Sequence, residues 1–215
     1  MRIDIISDTV CPWCFIGKRR LERALAEAQP GPVEVLWHPF QLNPDMPPDG
    51  MDRAQYLALK FGPGREAAYA PVVEAGQAEG IPFAFERIPR MPNTVRSHRL
   101  IRRAGALGRQ DSAVEALFRA YFLDGRNIGE VDELAAIAEE SIGIPAGAAR
   151  DYLAGDADSA EVRAEDEAVR RMGVAGVPCF IIDRRYVVHG AQDSSVFRAA
   201  FERVARDREG PPPEA

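Results

Sequence analysis

Cys11-Pro12-Trp13-Cys14 places two thiols three residues apart, directly after a strand-like run and at the opening of a helical one. On a helix, side chains at i and i+3 share one face about 5–6 Å apart, which matches the Cα separation that a disulfide spans. Cys11 falls at or before the first helical turn, where free backbone N–H groups and the helix dipole favour a thiolate. A thiol of low pKa is a good leaving group in disulfide exchange. Cys14, one turn further in, is expected to be the more buried thiol and to attack a mixed disulfide from within. Pro12 suits an early helical position, which has no use for a backbone N–H. A CxxC is also half of a zinc site, but tetrahedral zinc needs two more Cys or His ligands. The remaining candidates, Cys179, His38, His98 and His189, are scattered singly along the chain. The pair is therefore read as redox-active, with no metal.

The second signal is Gly173-Val174-Ala175-Gly176-Val177-Pro178, followed by a strand. An X-Pro bond at such a place is open to the cis form, although a plain turn before a strand reads equally well. Cys179 follows Pro178 directly. It is read as a small core residue opening that strand, with a third redox partner for Cys11 as the sharper alternative. His98 is read as a packing or surface residue, and His38 as the end of a strand. His189 is placed near the strand–helix turn. No hydrolase triad spacing and no phosphate-binding glycine motif appears.

The elements that must position these residues follow from hydrophobic periodicity. Residues 2–7 read as a strand, 12–28 as an amphipathic helix stopped by Pro30-Gly31-Pro32, and 33–42 as a second strand. The proline-rich segment 43–50 reads as a boundary. Helical patterns then run at 52–61, at 65–79 with an interruption at Pro71, and at 93–107. Further helices are expected at 112–122, 132–142, 145–153 and 158–172. Residues 81–92 are expected to be irregular, Asn93 or Thr94 to cap the next helix, and Ser112 with Glu115 to form a capping box. Strands return at 179–183 and 186–188 as a hairpin, and a helix at 194–207 precedes a frayed GPPPEA tail. The order is β-α-β, a block of helices, then β-β-α. Neither strand-bearing half could form a stable sheet alone, so the two must come together with the helices capping one side.

Composition agrees with an ordinary globular chain: 215 residues, 46% hydrophobic and 28% charged. Folding at this length buries roughly 70% of the unfolded surface, so no disulfide staples are needed. No apolar run is long enough for a membrane helix. The net charge of −6 argues against a nucleic-acid binder. Arginine supplies 25 of the 27 positive charges, with Lys18 and Lys60 the two lysines. That balance reads as the codon bias of a GC-rich bacterial genome. The arginine-bearing clusters at 18–20 and 102–103 are read as solvated helix faces. No secretory signal pattern opens the chain, so a cytoplasmic location is expected. Three cysteines there suggest redox or metal chemistry rather than structural disulfides.

Together the two motifs resemble the thioredoxin superfamily, and within it the DsbA-like oxidoreductases of the FrnE type. The matching segments are SDTVCPWCFIGK at 7–18, WHPFQLNP at 37–44, NTVRSHRL at 93–100, AYFLDGRNI at 120–128, GVAGVPCF at 173–180 and HGAQ at 189–192. The resemblance implies an α/β thioredoxin fold with a large all-helical insertion between its second and third strands. Residues 1–43 and 166–215 would be the two thioredoxin halves and 44–165 the insertion. It implies that Cys11 is the exposed nucleophile, Cys14 the resolving thiol and Pro178 a cis-proline facing them. The Val177 backbone would pair with an extended substrate, beside Pro12 and Trp13. Thioredoxins carry a buried acid six residues before the first cysteine. Here that position is Ile5, and Asp8 nearby is read as a turn residue.

The function so implied is thiol–disulfide exchange through a Cys11 mixed disulfide, with substrate proteins or small thiols as partners and glutathione as a candidate co-substrate. A cytosolic copy is expected to act as a reductase, isomerase or stress factor rather than a net oxidase. No other cofactor, no nucleic acid and no membrane is implied, and monomer or homodimer is left open. The alternative is a glutathione-dependent isomerase or kappa-class transferase-like enzyme acting on a small electrophile. Those families share the insertion-bearing fold but typically carry serine where Cys11 lies. A non-enzymatic holdase using the cleft under the helices is the third reading.

Overall fold

Ile3 and Ile5 alternate with Asp4, and the alternation becomes β1 (Arg2–Ser7) in the computed structural model, which describes residues 1–62 and 65–209. β1 lies at the centre of a mixed sheet. On one side it pairs in parallel with β2 (Glu34–Pro39), Ile5 opposite Trp37. The parallel pair requires a crossover, supplied by α1 (Pro12–Ala28). Apolar positions Phe15, Ile16, Leu21 and Ala24 of α1 are buried.

The third and fourth strands of the sheet come from the far end of the chain. They are Cys179–Ile182 and Tyr186–His189, and they form the expected antiparallel hairpin. Asp183 and Arg184 turn it with φ of 51° and 59°. The Cys179–Ile182 strand pairs antiparallel with β1, placing Cys179 opposite Ile6. The helix Ser194–Glu209 closes the chain, and the GPPPEA tail at 210–215 lies outside the described residues.

The segment between the two halves runs as β3 (Met51–Asp52), α2 (Arg53–Phe61), α3 (Arg65–Ala78) and β4 (Arg90–Met91). Then come α4 (Val95–Gly105), α5 (Gln110–Phe122), α6 (Val131–Ile137), α7 (Ala146–Ala154) and α8 (Ser159–Arg171). In chain order the Cys179–Ile182 strand is thus β5, Tyr186–His189 is β6, and the last helix is α9; the sheet order is β2-β1-β5-β6.

Four local expectations are corrected. Residues 81–92 are not wholly irregular: they hold a 3-10 turn at Phe85–Arg87 and β4, which pairs antiparallel with β3. Gly50 permits that approach, because at φ 70° a Cβ there would stand 2.5 Å from the Met91 carbonyl oxygen. α3 runs through Pro71 without a break. Ser112 caps nothing, since α5 has already begun at Gln110. The Gln110 side chain instead clamps the Trp37 backbone, accepting from its N–H at 2.8 Å and donating to its carbonyl at 3.0 Å. Finally, the 18–20 cluster is not solvated. Lys18 is buried against Glu22, Asp111 and Glu115, and Arg20 holds the shielded Glu79 carboxylate.

One apolar cluster runs from the sheet into the helical block. Phe15 of α1 stacks on Phe118 of α5 at 5.1 Å, and Trp37 of β2 meets Phe118 edge-on at 6.4 Å. A second, smaller cluster covers the other face of the sheet with Ile6, Phe40, Val169, Val174 and Cys179.

Candidate active site

β1 delivers the chain to a tight turn at residues 7–10, and α1 leaves it with Cys11 as the N-cap. The Cys11 N–H donates to the Asp8 carbonyl at 3.0 Å, and the Cys14 N–H donates to the Cys11 carbonyl at 3.0 Å. Pro12 occupies the first helical turn, where no backbone N–H is missed. Both thiols are free. Cys14 is 1% exposed and Cys11 4%. The order is the one expected, but Cys11 is shielded rather than exposed. The reason is the loop before β5: the Val177–Pro178 peptide is cis, and the Cys11 Sγ–H donates to the Val177 carbonyl at 3.6 Å. Pro178 is buried, whereas Pro12, Trp13 and Val177 are half-buried around the pair.

Helix and loop approach closely because residue 17 is glycine. A Cβ there would stand 3.1 Å from Pro178 Cγ and 3.0 Å from Phe180 Cζ. The missing side chain at Gly17 thus lets α1 lie close against Pro178 and Phe180.

Burial pushes the Cys14 thiol well up from its ordinary pKa, and the neighbouring Cys11 adds to the rise; the Ser7 hydroxyl and the Asp8 backbone N–H pull the other way. Cys14 is therefore held as a neutral thiol in the dithiol form.

The turn that carries Cys11 is anchored to α4. The Thr9 and Ser97 hydroxyls hydrogen-bond at 2.8 Å, and Ser97 also donates to the Thr94 carbonyl. Asp8 is fully buried, its Oδ2 accepting from the Leu42 N–H at 2.7 Å. Its Oδ1 faces His98 Nε2 at 3.4 Å, within ion-pair range but out of hydrogen-bond alignment, and among the described residues both atoms lack a hydrogen-bond partner. His98 is 4% exposed. Asp8 is thus more than a turn residue, and His98 is a buried polar group rather than plain packing or surface. In the sequence, Ser7-Asp8-Thr9 and Ser97-His98 both lie inside segments that carry the family resemblance. Ile5 is buried in the core, and Asp4 is spent on Arg2 and His38.

The other candidates lie away from the pair. Cys179 is fully buried in the second cluster, on the sheet face opposite Phe180, and burial raises its pKa. His38 bridges Glu165 at 2.6 Å and Asp4 at 2.8 Å. His189 is exposed. A cleft of about 470 Å³ opens between β2, α4, α5 and α8, lined among others by Ser7, Thr9, His38, His98, Arg102 and Glu165.

Residues 2–202 match the model of a family described as DSBA-like thioredoxin domain. The crystal structure of a probable DsbA oxidoreductase from Streptomyces coelicolor is 32% identical, covering all of this chain and 93% of that one, with a TM-score of 0.85. A 2-hydroxychromene-2-carboxylate isomerase shares the fold at 17% identity and a TM-score of 0.72, covering 97% of this chain and 98% of its own. The cytosolic disulfide reductase DsbM of Pseudomonas aeruginosa, solved with GSH, shares it at 20% identity and 0.66, covering 97% and 99%.

Proposed function

We propose, for a chain that belongs to the DSBA-like thioredoxin domain family, that it is a thiol–disulfide oxidoreductase working as a disulfide reductase or isomerase. Cys11 is the nucleophile, Cys14 the resolving thiol, and Val177–Pro178 the edge against which a substrate is laid. The observation that carries this reading is Cys11 at the helix N-cap, one turn ahead of the buried Cys14, with its Sγ on the Val177 carbonyl. A substrate sulfur has to displace that carbonyl contact to reach Cys11.

In the reducing direction the Cys11 thiolate attacks one sulfur of a substrate disulfide, and the other sulfur leaves as a thiolate. The Cys14 sulfur then attacks Cys11 Sγ, giving up its proton. The Cys11–substrate bond breaks, the substrate leaves with both electrons as a second thiolate, and a Cys11–Cys14 disulfide remains. Two electrons pass from the protein dithiol to the substrate, so glutathione or another thiol must re-reduce the pair. The likeness to DsbM, a cytosolic disulfide reductase solved with GSH, supports glutathione as that partner and a cytoplasmic setting. Among the described residues no helix is long and apolar enough to cross a membrane.

The isomerase fold neighbour keeps the glutathione-dependent isomerase or transferase in view, but an intact cysteine pair favours redox work. Equilibration with glutathione buffers, read by mass spectrometry, separates the two. A two-electron Cys11–Cys14 transition is expected, replaced in Cys14→Ser by a lasting Cys11–glutathione adduct. Absence of the intramolecular disulfide in the unaltered chain, with isomerase turnover retained in Cys14→Ser, overturns the redox reading.

A further inference from the structure

We propose that the cleft between β2, α4, α5 and α8 binds a small molecule of one kind: a carboxylate or sulfonate carried on an apolar body. The site goes beyond thiol exchange. Neither Cys11 nor Cys14 lines the cleft, so its occupant is not the molecule that is reduced. Ser7 and Thr9 do line it, and they belong to the turn that presents Cys11. Three observations carry the inference.

The first is room over an apolar floor. The volume of about 470 Å³ falls in the range of small-molecule sites. Leu36 and Trp37 of β2, Ile101 of α4, Val114 and Phe118 of α5, and Val162 of α8 make the apolar side. Trp37 and Phe118 are also core residues, packed edge-on against each other, so this floor is set by the fold itself.

The second is charge. The ionisable groups on the wall are His38, His98, Arg102, Arg103, Asp158 and Glu165. Both carboxylates are already engaged. Asp158 accepts from Arg102 at 3.2 Å and from the Tyr152 hydroxyl at 2.7 Å. Glu165 is held by His38 at 2.6 Å and by Arg102 at 3.5 Å. His38 has Asp4 on its other ring nitrogen. Arg103 has no carboxylate partner among the described residues, and its guanidinium lies 5.7 Å from the centre of the Tyr152 ring. The wall therefore offers an unengaged cation and no unengaged carboxylate. An arriving anion meets a counter-charge there, and an arriving cation meets none.

The third is a buried donor. His98 is 4% exposed, and its Nε2 has no hydrogen-bond partner among the described residues. The nitrogen faces the Asp8 carboxylate at 3.4 Å, which favours the tautomer with the proton on it, but the two atoms are out of alignment. A buried polar group left in that state is costly. An oxygen of the ligand supplies the acceptor that this N–H lacks, and that gain exists only when the cleft is filled.

The test uses the full reduced chain at neutral pH and titration calorimetry. The probes are octanoate, its neutral counterpart octanol and its cationic counterpart octylamine, with anilinonaphthalenesulfonate as an anion of different shape. One octanoate is expected per chain, bound about tenfold more tightly than octanol, the worth of one charge-assisted contact. Octylamine is expected to give no binding. Arg103→Ala should bring octanoate down to the level of octanol and leave octanol unchanged. Arg206→Ala, which removes the same charge from α9, should leave octanoate unchanged. Ala106→Trp fills the cleft from an exposed lining position and should abolish binding of octanoate and octanol alike. Cys11→Ser/Cys14→Ser should bind as the unaltered chain does, whichever thiol chemistry the pair performs. Octylamine bound as well as octanoate, octanoate binding that survives Ala106→Trp, or equal losses in Arg103→Ala and Arg206→Ala overturns the site. Failure of both anions to bind the unaltered chain overturns it too. Circular dichroism identifies a variant that fails to fold; Arg103→Ala, at an exposed position, then carries the test through the octanoate-to-octanol ratio.

Discussion

Gly17→Ala tests whether the contact between α1 and the Val177–Pro178 loop sets the geometry at Cys11. In a helix interior alanine is favoured over glycine by about 1 kcal/mol. Against that gain, the new methyl would stand 3.0 Å from Phe180 Cζ and 3.1 Å from Pro178 Cγ. Both neighbours are buried, one a ring stacked edge-on against Phe197 at 4.8 Å, the other part of a covered loop. Neither can swing into solvent, so several tenths of an ångström must come from moving the loop. Overpacking of this kind costs about 1–3 kcal/mol. The expected net effect is a loss of about 1 kcal/mol for Gly17→Ala and about 3 kcal/mol for Gly17→Val, whose branch doubles the conflict. The control is Gly147→Ala in α7, where a Cβ meets nothing within 4 Å; it should gain up to about 1 kcal/mol. Urea melts read the stability. Iodoacetamide labelling of Cys11 reads the site: as the loop backs away, the 3.6 Å contact to Val177 opens, and labelling should speed up several-fold. Equal stabilisation by Gly17→Ala and Gly147→Ala, with Cys11 labelling unchanged, would refute the reasoning.

Burial works against a charged His38, but its hydrogen bonds to Glu165 and Asp4 outweigh that and raise its pKa above the ordinary 6.5. A raised folded pKa means stabilisation fully present below the unfolded value and lost as pH climbs through the folded one. His38→Gln should therefore cost about 1–2 kcal/mol at pH 5.5 and clearly less at pH 9, by urea melts; a pH-independent cost would contradict the ion-pair account. Phe118 is fully buried between Phe15 of the thioredoxin-like half and Trp37 of β2. Phe118→Ala should cost about 3–5 kcal/mol and lower a single unfolding transition. Two separated transitions would show that the helical block holds its own core.

What could be read from the sequence was what is local. The strand–CPWC–helix run, the 179–189 hairpin and the helical stretches carry their periodicity within a few residues, and they appear nearly where expected. The β3–β4 ladder was missed because two residues per strand leave no alternation to detect. The capping box at Ser112 failed because tertiary demand won. Gln110 is recruited by the Trp37 backbone, and Glu115 is drawn to Arg19 and Lys18. Lys18 looked solvated for the same reason, since its partners Asp111 and Glu115 lie about ninety residues away along the chain. Shielding of Cys11 also had no local signature, because the covering carbonyl belongs to Val177.

The two cysteines therefore answer to different parts of the chain. The setting of Cys11 comes from its own turn, from Gly17 and from the Val177–Pro178 loop, all within the thioredoxin-like halves. The setting of Cys14 draws on the insertion: Ser97 and His98 of α4 hold Thr9 and face Asp8, in the turn whose Ser7 and Asp8 touch the Cys14 sulfur. The helical block is then not a detachable cap. Substitutions at positions 12, 13, 17 and 177 should alter the first, bimolecular attack. Substitutions along the inner face of α4 should alter the second, intramolecular one. That separation follows from which element touches which sulfur, and it means that the thiol buried one turn inside α1 can be tuned without disturbing the one at its end.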